Sequence, residues 1–247
     1  TKSKSFGTNG ILTAGAGAGK YGRYNTGLSL NYRNEKLNLY GSFDLLYTKV
    51  RNNSTVTRQF NDAYQIFEDQ SSLSYGTSQT LKAGFDYTIN KNSSFGMLVR
   101  SALNNRSKDG INLSRQHYGA QNTDTFSSVT TTSHSQYFTP AVNLYYKIKS
   151  LTINADYFSY AKDWRDDFTT RFTNGKNEEY RAPYLLRDNS PARNKARSIS
   201  ADYAFSLGKI RYETGLKAIL TRTDNDVAWE TYDGGSWLND TTRTNRF

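Results

Sequence analysis

The stretch from Tyr24 to Thr48 constrains the fold most strongly, because it holds two alternating segments joined by a short polar turn. In the first segment the even positions are mostly apolar or aromatic and the odd positions are polar or small. In the second segment, from Leu37, the odd positions are apolar, and only Leu46 breaks the pattern. Strand side chains alternate between faces, so the pattern predicts a hairpin with one apolar and one polar face. Each segment has the roughly ten residues that a tilted strand needs to cross a bilayer.

The rest of the chain repeats this unit. Further alternating segments occur at residues 80–90, 95–100, 137–148, 151–157, 198–207 and 210–221. A first strand is predicted at residues 11–19, where small residues make the alternation hard to phase. The sequence therefore predicts an all-β fold, the wall of an antiparallel up-and-down transmembrane β-barrel with about nine strands.

The predicted connections alternate between short turns and long polar loops. We predict short turns at Glu35, Asn92, Lys149 and Gly208, and long loops at residues 51–72, 104–135, 162–194 and from 222 onward. A barrel with one periplasmic and one external end shows this alternation. Asp62, Asn122, Gly175 and Gly234 are then expected at the external end. A girdle of aromatic residues is expected near the short turns, on the lipid side: Tyr32, Tyr87, Phe95, Tyr146, Phe205 and Tyr212.

Composition excludes several other classes of protein. No apolar run approaches the roughly 20 residues of a membrane helix, and an aromatic content of 14% is atypical of disorder. The chain has no Cys, which excludes disulfides and thiolate chemistry. The net charge of +10 is spread along the chain, so we expect no nucleic-acid partner. This charge suits contact with the phosphates of outer-membrane lipid or with an anionic cargo.

The polar side of the alternation carries charges of both signs. The charged residues predicted on this side are Arg33, Asp44, Lys82, Asp86, Arg100, Lys147, Asp156, Asp202, Arg211, Glu213 and Lys217. They are typical of a water-filled pore, or of a wall that holds a plug folded inside the barrel. In an unclosed sheet they would instead form a solvated face.

No motif indicates catalysis or metal binding. The carboxylate pairs Asp166–Asp167 and Glu178–Glu179 fall in predicted loops, and no GxSxG nucleophile elbow is present. His117 and His134 lie in one predicted loop without an evident acidic partner, so we expect both to be exposed. We therefore predict that the chain is not an enzyme and has no metal and no cofactor.

Aromatic residues in the predicted external loops are candidates for ligand binding, because they could stack on sugar or chelate rings. They are Tyr64, Phe67, Tyr118, Trp164, Phe172, Tyr184, Trp229 and Trp237. Packing of the loops against one another is the alternative role.

The chain resembles the β-barrel region of TonB-dependent receptors, in particular the Bacteroidetes-type outer-membrane β-barrel family. The resemblance rests on YNTGLSLNYRNEKLNLYGSF at Tyr24 to Phe43 and on YETGLK at Tyr212 to Lys217. TKSKSFGTNG resembles the stretch that leaves the plug in that family.

The resemblance implies a plug domain in the parent chain and a barrel of about 22 strands, of which residues 1–247 would form the N-terminal part. It implies energised uptake of a siderophore, glycan or peptide across the outer membrane of a Gram-negative bacterium. The implied partners are the TonB complex and, in some systems, a SusD-like lipoprotein. The alternative is a small passive porin or an adhesin of eight to ten strands, in which the first strand pairs with the last.

Overall fold

The computed structural model describes residues 6–61, 63–119 and 123–246, and their regular structure is one antiparallel sheet of twelve strands. The strands are β1 (Gly7–Ala18), β2 (Gly22–Arg33), β3 (Leu37–Asn61), β4 (Tyr64–Asn90), β5 (Ser93–Tyr118), β6 (Thr123–Ile148), β7 (Leu151–Thr173), β8 (Glu179–Asn189), β9 (Ala192–Leu207), β10 (Ile210–Asp233), β11 (Ser236–Asn239) and β12 (Asn245–Arg246). In these three ranges no helix is long and apolar enough to cross a membrane.

The sheet is a meander in which each pass of the chain pairs with the next. β8 and β9 together form one descending pass, because Arg165 faces Asn189 and Lys162 faces Ala192 in the same register. The interruption between them contains Pro191, which has no N–H to donate to a ladder. β11 and β12 both pair with β10, one after the other along its length. The nine predicted crossing segments all lie in strands, and β8, β11 and β12 are additional.

The registers align the alternation of every strand with that of its neighbours. Leu12 faces Leu28, Leu28 faces Phe43, and Phe43 faces Leu81. On the opposite side, Asn38 faces Asp86. We call these sides the apolar face and the polar face. The phase predicted for β2 to β7, β9 and β10 is therefore confirmed, and β1, which could not be phased from its sequence, follows the same alternation.

The sheet has no hydrophobic interior. Among the described residues no apolar side chain is buried, and Leu216 on the apolar face is 83% exposed. A single layer cannot bury an apolar face against itself, so this face needs an apolar solvent. A lipid bilayer provides that solvent for a barrel wall.

The prediction of long loops is wrong. The strands continue into the described parts of residues 51–72, 104–135, 162–194 and 222–246, where only short turns interrupt them, and we call these residues the extension. The apolar column of β3 ends at Tyr47, yet the strand runs on to Asn61, roughly 45 Å further at about 3.3 Å per residue. The missed signal was the absence of Gly and Pro from residues 51–72, together with β-branched Thr and Val.

The connections sort to the two ends of the sheet as predicted. Glu35, Asn92, Lys149 and Gly208 lie in short turns at one end. At the other end, Gly175 lies between β7 and β8, and Gly234 lies between β10 and β11. Asp62 and Asn122, predicted at that end, lie outside the described residues.

The aromatic residues near the short turns share the apolar face. The rings of Tyr87 and Phe95 are 5.6 Å apart, and those of Phe205 and Tyr212 are 5.3 Å apart. Phe95 faces Tyr146 across the β5–β6 ladder. This arrangement agrees with the predicted girdle.

Both edges of the sheet are open. β1 pairs with β2, and β11 and β12 pair with β10. No ladder joins β1 to β10, β11 or β12 within the described ranges.

The two faces predict opposite responses to added charge. Leu39→Arg and Val142→Arg put a cation on the apolar face, where mid-membrane Arg costs roughly 2 to 4 kcal/mol. We expect both variants to impair assembly of the full-length protein. Asn38→Arg and Asn143→Arg lie on the polar face and should assemble, the latter because Asp156 stands opposite. Heat-modifiable mobility on a gel measures the folded fraction, and equal assembly of all four variants would contradict the assignment of the faces.

Candidate functional site

The polar face carries hydrogen-bond networks that cross several strands. Asn38 Nδ2 donates to Asp86 Oδ2 at 3.0 Å, and the Tyr145 hydroxyl donates to Asp86 Oδ1 at 3.0 Å. Asp86 therefore links β3, β4 and β6 across the position of Gly96 on β5. A carboxylate that accepts from two neighbours is held in one orientation, which makes this part of the wall rigid.

Two glycines provide the room for these side chains. A Cβ at Gly84 would lie 2.7 Å from the Tyr40 ring, and one at Gly96 would lie 2.6 Å from the Phe85 carbonyl oxygen and against the Tyr145 ring. Each tyrosine lies over the glycine that faces it on the next strand. An aromatic ring over a cross-strand glycine covers backbone that would otherwise be exposed.

A second network surrounds Asp156. Asn143 Nδ2 donates to Asp156 Oδ1 at 2.6 Å, and Ser198 Oγ donates to Asp156 Oδ2 at 2.8 Å. This network joins β6, β7 and β9. Lys82 on β4 contributes a different contact, since its Nζ lies 5.5 Å from the centroid of the Tyr40 ring.

The charged residues predicted on the polar side all share the polar face in these registers, and they form several groups. Asp86 and Asp156 lie in the two networks, and Lys82 faces Arg100 directly across the β4–β5 ladder. Near the short turns Lys147, Asp202, Arg211 and Glu213 line one groove of about 650 Å³. Within it Arg211 Nη2 is 2.7 Å from Glu213 Oε1. The remaining predicted residues are Arg33, opposite Asn38, Asp44, opposite Gly27, and Lys217, opposite Ser200.

In the extension, aromatic residues cluster on the polar face. The rings of Tyr137 and Trp164 are 6.5 Å apart, and those of Phe168 and Trp229 are 6.0 Å apart and nearly parallel. Lys162 Nζ lies 4.1 Å from the centroid of the Trp164 ring. Such ring surfaces, half-buried and beside a cation, suit stacking on a ligand.

The predicted aromatic ligand residues lie on strands, not in loops. Tyr118 pairs with the Tyr64 ring at 5.1 Å on the polar face, and Tyr184 faces Thr170 there. Phe172 also lies on this face, whereas Phe67 lies on the opposite side under Arg115.

Trp237 is separate from the other tryptophans. Its ring contacts Tyr232 at 5.4 Å and lies under the Arg187 guanidinium at 4.2 Å, on the side continuous with the apolar face. Trp164 and Trp229 point to the other side. The predicted aromatic residues therefore do not form one surface.

The comparisons with known proteins add one finding. Residues 143–247 match the model of an outer membrane protein beta-barrel family. The chain builds the wall of an outer-membrane β-barrel of a Gram-negative bacterium. No curated protein and no solved structure matches the chain.

Two carboxylates of the barrel extension face each other across β7 and β8. Asp188 is buried, at 7% exposure, and accepts hydrogen bonds from the Asp166 N–H and from Ser190 Oγ. Burial, together with the nearby Asp166 carboxylate, raises the pKa of Asp188 above its ordinary value.

The histidines of the barrel lie on different strands, β5 and β6. His117 was predicted to be exposed and without an acidic partner, but it is half-buried and its Nδ1 lies 2.7 Å from Asp124 Oδ1. His134 Nδ1 lies 3.0 Å from Ser107 Oγ. In the three described ranges no group of three or more His, Cys, Asp or Glu side chains could hold a metal ion.

The sequence did not reveal the contacts of the uncharged side chains that bind Asp86 and Asp156 or cover the glycines of the polar face. It placed Tyr40, Tyr145, Asn38 and Asn143 on the polar side but gave them no role, because alternation predicts a face and not a contact. The Tyr-over-Gly pairs depend on register. Register between distant strands follows from the ladders and is not readable from either strand alone.

Gly96 is predicted to be sterically essential. Gly96→Ala brings a methyl group against the Phe85 carbonyl and the Tyr145 ring, and overpacking of this kind typically costs about 1 to 3 kcal/mol. We expect a lower urea midpoint for unfolding in detergent. Gly110→Ala on the same strand and face is the matched control, since its nearest neighbour would be Ser72 Cβ at 3.6 Å. An equal effect of the two variants would contradict the packing described for Gly96.

Asp188 predicts a pH dependence. Its folded pKa is raised, so its stabilising contribution is present below the unfolded value of about 4 and is lost as the pH rises through the folded value. Asp188→Asn should therefore raise the urea midpoint of unfolding at pH 7, as measured by tryptophan fluorescence. The difference in midpoint from the unaltered protein should vanish in acid. Asp240→Asn should have the opposite sign, because the Thr242 hydroxyl lowers the pKa of Asp240. A lower midpoint for Asp188→Asn at pH 7 would contradict this account.

Proposed function

We propose that this barrel wall belongs to a TonB-dependent receptor that takes up a nutrient such as a siderophore, glycan or peptide. In this proposal the extension lies outside the cell and captures the ligand, and the polar face holds a plug domain of the parent chain. The TonB complex supplies the energy, and a SusD-like lipoprotein is a further partner. The chain has no catalytic role in this proposal.

The observation that carries the proposal is the cross-linked polar face. Asp86 and Asp156 each accept hydrogen bonds from two side chains on other strands, so their part of the wall is already ordered. Charged groups such as Lys82, Arg100 and Lys217 remain on the same face as partners for a folded plug. The resemblance at Tyr24 to Phe43 and at Tyr212 to Lys217 points to the same class of protein.

The extension supports the ligand-capture part of the proposal. Trp164, Trp229, Tyr118 and Tyr184 share the polar face, which in this proposal lines the interior of the barrel. Flat aromatic surfaces on strands are more rigid than the same residues on loops, and therefore lose less conformational entropy when a ligand binds.

The alternative is a small passive porin or adhesin. It requires β1 to pair with the last strand, and β1 pairs with β2 alone within the described residues. The two hypotheses also differ in energetics, because passive diffusion needs no TonB complex.

The test uses growth of a strain that expresses the full-length protein, with ferric siderophores, oligosaccharides, peptides and cobalamin each supplied as the limiting nutrient. We expect growth on one of these classes, dependent on TonB and abolished by a protonophore. Trp164→Ala with Trp229→Ala should lower uptake about tenfold or more, because stacking of a flat ligand group on one aromatic ring, taken to be similar to the stacking of a nucleic-acid base, contributes roughly 1 to 3 kcal/mol. Trp237→Ala, on the opposite face, is the matched control and should retain uptake.

Two results would contradict the proposal. Uptake that is independent of TonB, together with swelling of proteoliposomes in small sugars, would indicate a porin. Equal losses from Trp237→Ala and from the Trp164 and Trp229 variants would contradict the assignment of the ligand-facing side.

A further inference from the structure

The apolar face ends at a basic boundary on β9 and β10. On β10 the apolar column runs from Ile210 to Leu220, and the next position on that face is Arg222. On β9 the column ends at Ile199 and is followed on the same face by Arg197, Lys195 and Arg193. The eleven residues from Ile210 to Leu220 match the length of one bilayer crossing. The four cations therefore stand where the strands leave the hydrocarbon. We call them the boundary patch.

Most of the boundary patch has no acidic partner. Arg193 is fixed by Asp163 and by the Lys162 carbonyl oxygen, and Asp224 faces it across the ladder. Lys195, Arg197 and Arg222 make no ion pair or side-chain hydrogen bond within the described residues, and all three are exposed. Arg222 faces Lys195 directly. Placing like charges opposite one another is unfavourable unless an anion lies between them.

The patch and the end of the apolar column form one surface. Arg193, Lys195, Arg197, Arg222, Asp224 and Leu220 line a shallow groove of about 610 Å³. Leu220, at the end of the apolar column, is 69% exposed, and Leu216, nearer the short turn on the same face, is 83% exposed. A molecule that fits this surface has an anionic head and an apolar body in line with it.

The same order of residues recurs at a second place on the boundary. On β3 the apolar column ends at Tyr47, and the next two positions on that face are Lys49 and Arg51. Lys49 Nζ lies 5.0 Å from the Tyr21 ring centroid, and Arg51 Nε donates to the Tyr21 hydroxyl. These cations are therefore partly engaged, whereas those of the boundary patch are not.

We propose that the boundary patch binds the phosphate groups of an anionic glycolipid in the outer leaflet. Arg197 and Arg222 present guanidinium forks, which bind phosphate oxygens with two parallel hydrogen bonds, and Lys195, directly opposite Arg222, adds a third cation. The acyl chains lie along Leu216 and Leu220. Membrane lipid is favoured over free phosphate because the cations continue the lipid-exposed column. The inference rests on the part of the proposed function that places the extension outside the cell.

The experiment uses the full-length protein in nanodiscs of neutral phosphatidylcholine, with diphosphorylated lipid A as the probe. Lys195→Gln, Arg197→Gln and Arg222→Gln are combined in one variant. Each cation near an anionic membrane surface strengthens binding about fivefold, so removing three should lower the affinity for lipid A about a hundredfold. The matched control combines Lys91→Gln, Lys149→Gln and Lys209→Gln, which removes the same charge from the short turns at the other end. It should bind within about twofold of the unaltered protein, because those lysines are a full bilayer away.

Several outcomes would overturn the proposal. They are unchanged binding by the boundary variant, equal binding of dephosphorylated lipid A, and displacement of lipid A by millimolar inorganic phosphate. Equal binding of phosphatidylglycerol would assign the patch to a general anionic surface. Surface labelling of Cys introduced at Gly175 and Asn92 reports the orientation independently. Lipid binding needs neither a nutrient nor TonB. If the unaltered protein binds lipid A but supports no TonB-dependent uptake, the proposed function is contradicted and the lipid site is not.

Discussion

The structure depends on one constraint, the pairing of backbone hydrogen-bonding groups in a solvent that offers no partners. In hydrocarbon each unpaired N–H or C=O costs several kcal/mol, so a chain that crosses as single strands must pair every strand on both sides. The continuous ladders from β1 to β10 meet this requirement for all the inner strands. β1 and the opposite edge do not meet it in this sheet. Both edges therefore need a partner strand before the sheet can reside in the membrane.

Once the backbone is paired, the two faces are free to serve different purposes. The apolar face only has to be soluble in lipid, and it is built from interchangeable Leu, Ile, Val and Phe side chains. The polar face is specific, because Asp86 and Asp156 each bind defined neighbours and Tyr40 and Tyr145 require glycines opposite them. Beyond the bilayer the same two faces continue without the lipid. There Trp164 and Trp229 share one side, and Trp237 with Arg187 occupies the other.

The sequence was sufficient for the parts of the fold that lipid constrains. Alternation of apolar and polar residues predicted the nine crossing segments and the phase of all but the first, and the order of short turns and long polar stretches predicted the ends at which Gly175 and Asn92 lie. It failed in the extension, where neither face is apolar and alternation leaves no trace. Strand structure persists there because Thr- and Ser-rich segments such as residues 127–135 prolong a ladder already set in register by the membrane-spanning part. The contacts of Asp86, of Tyr145 over Gly96 and of His117 with Asp124 depend on register, so no single segment could predict them.

The length of the extension has a consequence for biogenesis. In the proposed orientation, which puts the extension outside the cell, the polar ends of the β3–β4, β5–β6 and β7–β8 hairpins must cross the membrane before the hairpins reach their final depth. Each of the strands β3 to β7 carries about 14 or more residues beyond its apolar column, including charged groups such as Arg58, Glu68 and Asp109. Passing these segments through hydrocarbon one by one is prohibitively unfavourable. Translocation therefore requires a hydrated path or a locally thinned bilayer. The length of the extension determines how much polar chain must cross in this way.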